Sequence, residues 1–219
     1  MSRQKQKTNK SELISRSYSF EVRAEDNDSG HIILGRPIVY DAKTDLGWFD
    51  EIIERGALDG ADLKDVRFLV NHDIKKIPLA RSRNNNKNST MRLMIVDEGL
   101  DIEVNLDIEN NVDARALYSA VQRGDITGMS FMFSIDDEEW ENLQSEHPTR
   151  RIKKIGTVVE VSAVTFPAYE ATEINARDKS ALDNARSALE NARQSQQASV
   201  DTDEMEKLRL QIKILGGNN

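Results

Sequence analysis

From residue 17 to residue 166 the chain is largely a succession of apolar–polar alternations, the period of strands with one buried face. Residues 17–23 alternate around Tyr18, Phe20 and Val22, residues 26–30 are dense in turn formers, and residues 31–40 read as the returning strand of a hairpin. Pro37 marks that second strand as an edge or a bulge. Residues 59–65 predict a brief helix, and residues 66–70 a buried strand that delivers Asn71, His72 and Asp73 at its end. The clearest hairpin pairs residues 91–96 with residues 100–108 around Asp97-Glu98-Gly99. One helix is predicted over 113–123, with Asp113 as N-cap, Gly124 as stop, and Ala114, Leu117, Ala120 and Val121 as its apolar stripe. A turn at Gly124–Gly128 then feeds a strand with Met129, Phe131, Phe133 and Ile135 on one face and Ser130, Met132 and Ser134 on the other. An acidic run (136–139) and a basic run (150–154) flank a further hairpin, where opposite charges help to fix register. A long apolar strand over 155–166 closes the β-rich region.

The periodicity then changes. Leu182, Ala185, Leu189 and Ala192 keep helical spacing, residues 194–199 loosen it, and Met205, Leu208, Ile212 and Leu215 resume it. At the other end, residues 1–16 carry Arg3, Lys5, Lys7, Lys10 and Arg16 against Glu12 and few apolar side chains. The expected organisation is a basic disordered arm (1–16), one domain (17–176) and a helical, partly disordered tail (177–219), the tail not obviously part of the core.

A net charge of −8 and a pI near 5.1 argue against a general nucleic-acid or anionic-membrane binder, which needs clustered Lys and Arg. The absence of cysteine removes disulfides, thiolate catalysis and Cys-type zinc sites, and fits an intracellular protein. No apolar run reaches the roughly 20 residues of a membrane span, and the polar start lacks a signal-peptide core. The only histidines, His31, His72 and His147, form no i, i+4 ligand pair, so no metal or cofactor is expected.

Three residues in unusual settings carry the candidate chemistry. Ser130 lies just past a glycine corner; alone, it is most simply a small residue filling a pleat. His72 at a strand end is, alone, most simply a cap. Glu160 interrupts an apolar run, and a carboxylate there needs a partner, which structural Arg81 or Arg151 would also supply. Together they match the parts of an activated hydroxyl: nucleophile, imidazole base and orienting acid. Asp73 competes with Glu160 as orienting acid, although neighbours on an extended strand point to opposite faces. A metal-assisted hydrolase using His72, Asp73 and Glu160 is a second option, disfavoured by the scarcity of histidine.

The order and spacing of several segments add to this. They are Gly35 and Tyr40, Phe49 to Leu58, Val70-Asn71-His72-Asp73, Gly99-Leu100, Gly124 to Phe133, and Glu160 to Tyr169. In these the chain resembles the prohead (procapsid maturation) serine protease family of tailed bacteriophages, with the fold of the herpesvirus assemblins. The resemblance implies His72 as base, Ser130 as nucleophile and Glu160 as third member, with Arg150 or Arg151 as oxyanion candidates beside backbone N–H groups near Ser130. It implies an α+β fold: a mostly antiparallel, closed or nearly closed β-barrel with flanking helices, plus the helical C-terminal tail. It also implies a homodimer that cleaves the phage major capsid protein's N-terminal segment and scaffold inside the procapsid, in the bacterial host cytoplasm, with self-cleavage. No cofactor, nucleic acid or membrane enters that activity. Arm and tail would then recruit the protease into the shell. The contrasting expectation is a catalytically silent β-barrel that serves as an assembly or scaffolding protein.

Overall fold

The computed structural model describes residues 13–18, 22–27, 30–166 and 176–216. In chain order their elements are β1 (Leu13–Tyr18), β2 (Arg23–Asn27), β3 (Gly30–Val39), β4 (Lys43–Asp45), β5 (Asp50–Ile53), β6 (Val66–Val70) and β7 (Ala80–Ser82). There follow β8 (Met91–Val96), β9 (Gly99–Leu106), α1 (Val112–Arg123), β10 (Gly128–Glu141), β11 (Thr149–Val164) and α2 (Ala176–Gly216).

Two sheets share one core. The smaller is antiparallel, in the order β2-β3-β9-β8; the larger is mixed, in the order β1-β10-β11-β5-β4, with β6 and β7 branching from β11. The closed or nearly closed, mostly antiparallel barrel expected from the resemblance is therefore not what forms. Neither sheet closes on itself: β1 and β4 end one path and β2 and β8 the other. The physical reason lies in β11, whose 16 residues outrun any one partner. Its first half pairs in parallel with β5 and its second half in parallel with β6, so the sheet forks where a barrel would continue round. Four irregularities in the β10–β11 register bend the hairpin strongly. The charge runs do face each other there, with ion pairs Arg150–Glu138 and Lys153–Glu139 across the ladder.

The core takes one face of each sheet: Ile33 and Ile38 from β3, Val104 from β9, Phe68 from β6, Phe131 and Phe133 from β10, and Val161 from β11, with Leu117 and Val121 of α1. The alternation on β10 is thus as expected. Asn111, not Asp113, caps α1, its side chain accepting from the N–H groups of Asp113 and Ala114; Gly124 ends the helix at φ 78°. Residues 59–65 form turns and an isolated bridge from Asp62 to Thr157 instead of a helix. At Gly99 (φ 151°) an added Cβ would sit 1.9 Å from the Ile38 carbonyl oxygen, so the β8–β9 turn accepts only glycine.

Both ends of the domain differ from expectation. Residues 1–12 lie outside the described residues, but Leu13 to Arg16, assigned to the arm, belong to β1, which pairs with β10; the partner of β3 is β2. The apolar flank Leu13-Ile14 was the available signal. α2 is one continuous helix through residues 194–199. Its first stripe is docked: Ala185 and Leu189 bury against Phe49 and Trp140, and Arg186 lies over the Trp48 ring. Met205 and Leu208 of the second stripe are exposed. Among the described residues no helix is long and apolar enough to cross a membrane.

Candidate active site

Three neighbouring strands carry the site. β10 brings Ser130, β11 brings Ser162 opposite it and Glu160 two residues earlier on the same face, and the end of β6 brings His72. The chain leaves β6 through two successive left-handed residues, Asn71 (φ 50°) and His72 (φ 56°). Such non-glycine conformations cost about 1–3 kcal/mol each, so surrounding bonds must hold them. Asn71 N–H donates to the Ala163 carbonyl (2.9 Å), and the Asn71 side chain exchanges bonds with Thr165, accepting from its N–H (2.9 Å) and donating to its Oγ1 (3.1 Å). His72 N–H donates to Ser162 Oγ (3.2 Å). The turn aims the imidazole back across the strand ends.

There His72 bridges the other two. Its Nδ1 meets Glu160 Oε1 in a short contact, and its Nε2 lies 2.5 Å from Ser130 Oγ. Glu160 is buried, and its second oxygen accepts from Ser162 Oγ (2.6 Å). The carboxylate is thereby fixed from two sides, and a proton on Nδ1 leaves Nε2 free to accept. Ser130 is fully buried, while the His72 side chain keeps 18% exposure. Asp73 does not reach the imidazole; its carboxylate accepts from Lys75 N–H (3.1 Å).

Ser130 has a second partner, the carbonyl oxygen of Arg16 on β1, 2.8 Å from Oγ. One hydroxyl proton serves both contacts. Pointed at His72 it readies the oxygen for attack; pointed at Arg16 it leaves the hydroxyl to accept a proton from Nε2.

The oxyanion candidates are not part of this cluster. Arg150 is buried and bonded to Glu138 (Nε 2.8 Å) and Glu51 (Nη1 3.4 Å), and Arg151 to Glu141 (Nε 2.6 Å). Two residues that no local pattern marks also touch the cluster: Ser162, on the Glu160 face of β11, and Arg16. Arg16 is buried, with Nε 2.5 Å and Nη2 2.9 Å from the two oxygens of Glu51. Arg16 and Arg150 pair with well-separated stretches of β10, yet both reach Glu51, a measure of how far the hairpin bends.

Burial by itself would raise the Glu51 carboxyl; attraction to Arg16, its hydrogen bonds and Arg150 outweigh that and hold the pKa below the ordinary glutamate value. Glu51→Ala leaves two guanidiniums buried around a missing charge and is expected to cost about 3–5 kcal/mol. Because the folded pKa is depressed, Glu51 stabilises the fold above the unfolded carboxylate value of about 4.3, and this is lost as pH falls through the folded value. In thermal melts the Tm gap between wild type and Glu51→Gln should therefore narrow on acidification.

A family model described as Caudovirus prohead serine protease matches residues 18–186. The chain belongs to this family. It is accordingly a serine peptidase, and Ser130, His72 and Glu160 all fall within the matched residues. Among solved structures, that of the bacteriophage T4 capsid assembly protease is similar over 73% of this chain and 100% of its own, at 13% identity and a TM-score of 0.45. No curated protein matches.

Outside the site, Asp45, Asp50 and His147 gather their ligand atoms, with His147 Nε2 3.0 Å from Asp50 Oδ1. Lys43 pairs with the same Asp50, so the carboxylate already has a cation.

Proposed function

We propose that this prohead protease is an endopeptidase that trims the scaffold and the N-terminal segment of the capsid protein inside the assembling procapsid, and that it also cuts itself. Ser130 is the nucleophile, His72 the general base and Glu160 the orienting acid. Ser130 Oγ attacks a peptide carbonyl carbon as its proton passes to His72 Nε2, and Glu160 stabilises the imidazolium through Nδ1–H. The C–N bond then breaks, His72 returns the proton to the leaving amine, and water releases the acyl group from Ser130 by the same route.

The observation that supports this reading is the imidazole held between a buried carboxylate and a buried serine hydroxyl. A structural serine would need neither the carboxylate nor the strained turn that delivers His72. The test is co-assembly with the phage's capsid and scaffold proteins. Wild type should shorten both, and Ser130→Ala should leave them full length; shortening by Ser130→Ala would overturn the proposal. A silent scaffolding module would behave identically with either residue.

A further inference from the structure

β1 is an edge strand laid antiparallel along β10, with Ser17 opposite Ser130. The family match begins at residue 18, so β1 lies almost wholly ahead of it. Without β1, the free edge would belong to β10, the strand that carries Ser130. A free edge of this kind takes up an extended peptide as an added strand. β1 therefore fills the lane along which an extended substrate would reach the nucleophile.

Its contacts resemble those of a substrate at one bond. With Oγ 2.8 Å from the Arg16 carbonyl oxygen and a C=O length of about 1.23 Å, Ser130 Oγ is within about 4 Å of the Arg16 carbonyl carbon. Attack geometry needs roughly 3–3.5 Å, a small adjustment away. That carbon belongs to the Arg16–Ser17 peptide bond. The Arg16 side chain is held by both oxygens of Glu51, and Ile14, two residues earlier, packs into the core. β1 thus offers an apolar residue, a spacer, and an arginine whose carbonyl faces the nucleophile.

We propose that Arg16–Ser17 is the bond this protease cuts in itself, and that Glu51 is the carboxylate that selects a basic residue on the acyl side of the scissile bond. The inference rests on Ser130 being the nucleophile. Turning the hydroxyl proton from Arg16 to His72 frees an Oγ lone pair for the Arg16 carbon. The Arg16–Ser17 C–N bond breaks, the Ser17 nitrogen takes the proton from His72, and residues 1–16 remain as an ester on Ser130. Water then hydrolyses the ester to an Arg16 carboxylate and restores the hydroxyl. Departure of this segment would open the β10 edge to other segments of the pattern apolar–any–basic, with Arg favoured over Lys because Glu51 binds the guanidinium through two parallel bonds.

The test follows the full chain by intact mass and N-terminal sequencing, and then offers it peptides of residues 11–22 with Arg, Lys, Gln or Glu at position 16. Expected are a new N-terminus at Ser17 at a rate independent of protein concentration, no such product in Ser130→Ala, and retention in Arg16→Lys. The Arg peptide should be cut on the order of 100-fold faster than the Gln peptide, a preference that Glu51→Gln should erase although a purely structural glutamate would leave it untouched. The peptides keep the inference testable even where an Arg16 or Glu51 variant folds poorly. Cleavage of other bonds with Arg16–Ser17 intact, or equal rates on the Arg and Gln peptides, would overturn this inference and leave the protease reading standing. Failure to cut itself, the peptides or unfolded casein would overturn both.

Discussion

His72→Asn slows peptide cleavage by roughly 10⁴- to 10⁶-fold, the loss seen when a triad is deprived of its base. Asparagine is the informative replacement. Residue 72 sits at φ 56°, a conformation asparagine tolerates better than alanine, so the turn after β6 survives. The Asn71 bonds to Ala163 and Thr165 and the Ser162 bond to the backbone N–H of residue 72 also persist, since they do not involve the imidazole. What disappears is, among the described residues, the only group on Ser130 able to take its proton, because the Arg16 carbonyl accepts a hydrogen bond but is no base. Circular dichroism should match wild type, and progress curves on the Arg16 peptide should give the rate ratio.

Glu160→Gln should lower kcat on the order of 10⁴-fold with KM little changed. The amide is nearly isosteric and keeps the bond from Ser162, so the fold does not suffer. Its NH₂ group, however, can donate to Nδ1, which moves the imidazole proton to Nε2 and leaves nothing on that side to accept from Ser130. Substrate binding along β10 and at Glu51 does not use Glu160, hence the effect on kcat alone. A loss confined to KM would assign Glu160 to binding instead.

How much of this was legible in the sequence depended on the range of the interaction. Strand positions and buried faces of β8, β9 and β10 follow from alternation, which is local, and Gly124 and Gly99 mark turns by their own backbone needs. The N-cap lies two residues before the position the pattern predicts because Asp113 and Asn111 are both good caps, and only the bonds formed distinguish them. The absence of a barrel has a deeper reason: alternation tells which face of a strand is buried, never whether the last strand meets the first. β11 dividing its length between β5 and β6 leaves no local trace.

The site divides in the same way. Ser130, His72 and Glu160 stand out because each is polar in an apolar or strand-end setting, and the structure brings the three side chains into contact. Arg150 and Arg151 looked available as cations, but the carboxylates that occupy them come from β5 and β10 and the turn after β5, and such pairing is invisible until the strands meet. Arg16 was hidden by its neighbours. Amid the basic residues of positions 1–16 it reads as one more solvated charge, and only pairing with β10 sends it to Glu51.

The chemistry proposed for the site depends on activation of Ser130 by His72. A fluorophosphonate given to the full chain while it processes itself, with wild type beside Ser130→Ala and His72→Asn, tests it by locating the phosphonyl group by mass spectrometry. Modification of Ser130 is expected in wild type and in neither variant. Modification of a different serine, equal labelling of His72→Asn, or cleavage that proceeds with Ser130 untouched would contradict it.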